Sequence, residues 1–66
     1  MDNLPEILTA QHISDYLGIS RYSVYELFKK SSKHGWIPNF SIGASKRVEK
    51  KDFIKWIEAR KSEKAS

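Results

Sequence analysis

The sequence predicts an α+β fold of three short helices with a two-stranded β-hairpin, and three observations lead there. Two apolar stretches at helical spacing are joined by only about three residues, Gly18-Ile19-Ser20. The apolar period then changes to strand-like alternation at Phe40, Ile42 and Val48, with Gly43 between them. Phe53, Ile54, Trp56 and Ile57 finally return to a helical pattern. With 66 residues and no cysteine, the chain is read as one domain over 1–66, with an ordered part of about 7–60 and a tail at 61–66. A domain of this size buries only roughly 60% of its unfolded surface, and packing alone must hold it.

Helix one is expected at about 10–17. Thr9 caps it, and Ile13, Tyr16 and Leu17 share one face. Gly18 ends it, Ile19 is an apolar residue inside the turn, and Ser20 caps the next helix. Such a short connection is the sequence form of a helix-turn-helix. Helix two is expected at about 21–31, with Val24, Leu27 and Phe28 toward the core. Its opposite face carries Tyr22, Tyr25, Glu26 and Lys29, with Arg21 on the flank. Residues 31–35 then form a polar loop in which Gly35 takes a left-handed conformation.

The hairpin has its tip at Gly43-Ala44-Ser45-Lys46, and the alternation of Phe40, Ile42 and Val48 predicts one buried face. Two strands are marginal by themselves, so this hairpin must lie on the helices. Helix three, about 51–61, follows with Asp52 in its first turn and a broad apolar face. Trp36, Phe40 and Trp56 are assigned to the core, because so small a domain needs large rings to bury enough area.

Charge narrows the function. Residues 1–28 hold four acids and one base, whereas residues 29–66 hold eleven bases and four acids; the whole chain carries +4. A basic second half with Lys46, Arg47, Lys50 and Lys51 set among apolar residues of a folding segment points to a polyanion. The apolar runs never exceed two residues, so neither a membrane span nor a signal peptide is expected, and a cytoplasmic setting fits the lack of cysteine. His12 and His34 have no ligand partners at metal spacing, no glycine-rich phosphate cradle occurs, and no nucleophile has an acid and base to serve it. No catalysis, cofactor or metal is expected.

The residues assigned to DNA are Ser20, Arg21, Tyr22, Ser23, Tyr25, Lys29 and Lys30 around helix two, with Ser45, Lys46 and Arg47 at the hairpin. Arg21 has the fork geometry to pair with both acceptors of a guanine. Tyr22 and Ser23 reach phosphates or thymine methyls, and Tyr25 either does the same or packs on the hairpin. Lys29 and Lys30 suit phosphates, since a flexible ammonium gives charge without fixed geometry. Lys46 and Arg47 suit the backbone or a narrow minor groove.

Leu8-Thr9, Tyr16-Leu17-Gly18-Ile19-Ser20-Arg21, Val24-Tyr25, Ile42-Gly43, Arg47-Val48, Asp52-Phe53 and Trp56 together resemble the winged-helix excisionases and related small regulators of the MerR superfamily. The resemblance spans about residues 7–58. It departs at His12-Ile13-Ser14, where many relatives have Glu and two small residues, and at Ala44-Ser45, where several carry two bases. The resemblance implies a winged helix-turn-helix, with one helix in the major groove and the wing in the neighbouring minor groove. It further implies an excisionase-like factor of a prophage or mobile element that binds double-stranded DNA and assists a recombinase or integrase. The alternatives are a small transcriptional regulator with the same fold, and a protein-docking module that binds an acidic partner such as an integrase through the Tyr22 and Tyr25 face or the tail beyond Ile57. A monomer in solution that binds cooperatively on DNA is expected, because one copy touches few phosphates.

Overall fold

The computed structural model describes residues 4–32 and 35–65. Lys33 and His34, which belong to the expected polar loop, lie outside the described residues, as does Ser66 of the expected tail. The element order is β1 (Ile7–Leu8), α1 (Ala10–Leu17), α2 (Arg21–Leu27), β2 (Phe40–Ile42), β3 (Ser45–Glu49) and α3 (Lys50–Ala65). Three helices with a hairpin after α2 make a small winged helix-turn-helix.

Thr9 caps α1 as expected: its Oγ1 accepts the backbone N–H of His12 at 3.2 Å. The reciprocal bond, Thr9 N–H to His12 Nδ1 at 3.0 Å, gives histidine the place that Glu or Gln takes in a capping box. At the other end Gly18 sits at φ +70°. Its N–H and that of Ile19 both donate to the Ser14 carbonyl, at 2.9 and 3.2 Å, which satisfies a helix-end acceptor. The Ser14 hydroxyl donates to the Ile19 carbonyl, so the turn is tied to α1 from both sides. Nothing lies within 4 Å of a Cβ built on Gly18; a side chain there meets open space, and its cost is the left-handed backbone alone.

Helix α2 stops at Leu27, four residues before the expected end. The reason lies downstream. The Leu27 carbonyl accepts Ile37 N–H at 3.0 Å. The Phe28 carbonyl accepts both Trp36 Nε1–H at 3.0 Å and Asn39 Nδ2 at 2.9 Å. The acceptors that would extend the helix are therefore taken by the 36–39 segment, and residues 28–31 form turns. Gly35 has the expected left-handed φ, +88°.

The wing is a two-residue hairpin. Ile42 pairs with Ser45, Ser41 with Lys46 and Phe40 with Arg47. Gly43 at φ +61° is followed by Ala44, which has no positive φ, the pattern of a type II′ turn. The tip is thus Gly43-Ala44 alone, and Ser45 and Lys46 belong to β3 rather than to the turn. A strand not anticipated from sequence, β1, pairs with β3 through Ile7 to Glu49 and Leu8 to Val48, giving the antiparallel order β1-β3-β2. Two residues are too few to show alternation, so β1 left no periodic signal.

The core joins Leu8, Ala10, Ile13, Val24, Leu27, Phe28, Ile37, Val48 and Phe53. Two expectations for it fail. Phe40, at 41% exposure, and Ile42, at 62%, lie on the outer face of the sheet, because the register puts them opposite Arg47 and Ser45, while Val48 and Leu8 point inward. Trp36 is 38% exposed, and its place inside is taken by the neighbouring Ile37. Tyr16, on the α1 face it shares with Ile13 and Leu17, meets Phe53 edge-on with centroids 5.7 Å apart and is 44% exposed. Trp56 is half-buried, its ring stacked near Phe53 at 6.4 Å and 10°. Helix α3 continues through Ala65, past the expected end at 61, so most of the residues read as a tail are helical. No Gly or Pro stands there to stop it.

Candidate nucleic-acid interface

Ser20 starts α2 in the extended conformation, and its Oγ accepts the Ser23 N–H at 3.1 Å. It also meets the Ser23 hydroxyl at 3.1 Å. Both serines therefore spend hydrogen bonds on fixing the helix start, and Ser23 is half-buried on its flank. Val24, Leu27 and Phe28 anchor the opposite side in the core. What this leaves outward is Arg21, Tyr22 and Tyr25, all exposed, with Tyr22, at 75%, the most open large apolar or aromatic side chain among the described residues. Tyr25 resolves its two alternatives differently: its ring meets Phe28 edge-on at 5.9 Å, which fixes it while the remainder faces solvent. A buried anchor beneath an open, aromatic and cationic face is the arrangement a recognition helix requires.

Lys29 and Lys30 stand beyond the helix, not on its face, because α2 ends early. Lys29 Nζ bonds Glu26 Oε2 at 3.0 Å. That hydrogen bond and the carboxylate charge hold the ammonium above its ordinary range, so Lys29 is charged throughout physiological pH. The same pair occupies Glu26, whose carboxylate would otherwise repel a phosphate. Lys30 instead lies over the Trp36 ring, 5.2 Å from its centroid.

At the wing, Lys46 is exposed beside Ser41, and Arg47 is half-buried beside Phe40. Consecutive strand residues face opposite ways, so the two cations flank the hairpin rather than forming one row. The Arg47 guanidinium donates to the Lys46 carbonyl at 3.0 Å, which holds it along the strand. Ser45 is exposed next to the turn. The structure thus leaves Arg21, Tyr22, Tyr25, Lys46 and Ser45 open to a ligand, and engages Ser20, Ser23, Lys29, Lys30 and Arg47 in contacts within the chain.

Among the described residues no helix is long and apolar enough to cross a membrane. His12 serves the α1 cap, and His34 lies outside the described residues.

In comparisons with known proteins, the helix-turn-helix domain family matches residues 7–61. No curated protein and no solved structure matches the chain. The family match spans most of the chain, which belongs to this helix-turn-helix domain family, and a domain of this kind supports sequence-specific binding of DNA.

Proposed function

We propose that this member of the helix-turn-helix family binds double-stranded DNA through Arg21, Tyr22 and Tyr25 in the major groove and through the β2–β3 wing beside it. It acts as an excisionase-like directionality factor that holds or bends DNA for a recombinase and makes or breaks no bond itself. The observation that carries DNA binding is the exposed face of α2, capped at its start and pinned to the core behind. The step to an excisionase rests on the resemblance over residues 7–58. Each copy is a monomer in solution and gains affinity by binding neighbouring sites together.

The wing gives the direct test. Each Lys that neutralises a phosphate releases counterions, so Lys46→Ala should lower affinity and flatten the log-affinity against log-salt slope by about one phosphate equivalent. Arg47→Ala should have a smaller effect on the slope, because its guanidinium is already bonded along the strand. Fluorescence anisotropy on a labelled duplex across a salt series measures both. Unchanged slopes in both variants would remove the wing from the interface.

A further inference from the structure

The loop before β2 and the middle of α3 enclose a groove of about 300 Å³ that shares no residue with the recognition face of α2 or with the wing. Trp36 and Pro38 form one wall, and Lys55, Trp56 and Arg60 the other, with Asp52 at one end. Two indoles so close to the surface are unexpected in a core this small. They are held firmly: Trp36 Nε1–H is bonded to the Phe28 carbonyl. Gly35 is so close to Trp56 that a Cβ there would lie 3.2 Å from its Nε1. The lining holds two cations, Lys55 and Arg60, against one acid, Asp52. Lys30 is not in the lining but lies over the Trp36 ring, 5.2 Å from its centroid, and adds a third positive charge beside it.

We infer that this groove docks an acidic protein segment carrying an apolar anchor, with the anchor against Trp36 and Trp56 and its flanking carboxylates on Lys30, Lys55 and Arg60. Charge selects the occupant. An excess of cations beside two aromatic walls favours carboxylates on either side of a large apolar side chain, and aromatic pockets ringed by polar groups are where binding energy concentrates. A concave slot of this volume fits one or two side chains, whereas the convex backbone of a duplex meets its rim only. A larger adjoining groove of about 720 Å³ shares Trp56 and Arg60 but adds Glu26, so its charge selects no one class of occupant. The inference does not depend on DNA binding. If both hold, one copy engages duplex and protein at once through separate surfaces.

The probe is a synthetic twelve-residue peptide of alternating Asp and Glu with two central Phe, beside a control in which both Phe are Ser. Titrated into the ¹⁵N-labelled full chain, the Phe peptide should move the indole N–H resonances of Trp36 and Trp56 and bind more tightly than the control. Lys55→Glu, an exposed site whose retained fold the same spectra verify, should weaken it about fivefold at low salt. The inference is overturned by equal binding of both peptides, by an unchanged Lys55→Glu affinity, or by shifts confined to Tyr22, Tyr25 and Lys46. It is also overturned if a short duplex displaces the peptide from the two indoles, which would make the groove a nucleic-acid surface. A separate duplex titration reports DNA binding, so failure of either reading is distinguishable from failure of the other.

Discussion

Phe53→Ala unfolds the domain. The ring is fully buried, meets Tyr16 edge-on and lies beside Trp56, and so links α1 to α3 across the core. Truncating a buried Phe costs about 3–5 kcal/mol, from lost transfer energy and the cavity left behind. A core of nine buried apolar residues among the described ones leaves little net stability to absorb that loss. Urea titration followed by far-UV circular dichroism should show no folded baseline for the alanine variant. Phe53→Leu, which conserves most of the volume, should retain a cooperative transition at lower urea. An alanine variant with the parent's midpoint would mean that α3 does not pack as described.

Arg21→Ala is expected to relax base preference without harming the fold. Its side chain is exposed in the first turn of α2, where recognition helices meet base edges. A bidentate contact to guanine discriminates by about 1–3 kcal/mol, so the variant should lose roughly 5- to 150-fold on a duplex selected from a random pool. On random duplex it should lose only the share owed to one positive charge. Equal losses on the two duplexes would assign Arg21 to a phosphate and take base reading away from it.

The helix-turn-helix was legible because its information is local. Thr9, Gly18 and Ser20 each act within three or four residues of themselves, and the structure places all three in their expected caps. Elements decided by distant partners were not legible. The end of α2 is set by Ile37, Trp36 and Asn39 capturing carbonyls 8 to 11 residues back, and nothing at Lys29 or Lys30 announces it. The strand β1 exists because β3 offers it an edge. The inward face of the hairpin depended on register. Alternation put Phe40, Ile42 and Val48 together, but across the turn Phe40 pairs with Arg47, which sends Val48 to the other face.

The same distinction holds at the candidate interface. That the outer face of α2 carries Tyr22 and Tyr25 follows from helical spacing alone. That Lys29 is taken by Glu26, Lys30 by Trp36 and Arg47 by a carbonyl depends on side-chain positions no spacing encodes. The groove between Trp36 and Trp56 brings together residues twenty positions apart. Its only trace in the sequence is an abundance of large rings, which had suggested burial instead.

The most direct measurement is a titration of the ¹⁵N-labelled chain with its selected duplex, read residue by residue. If the account holds, amide shifts concentrate from Ser20 to Tyr25 and from Gly43 to Arg47, and fade as salt is raised. Shifts absent from both stretches, or gathered on α3 alone, would contradict it.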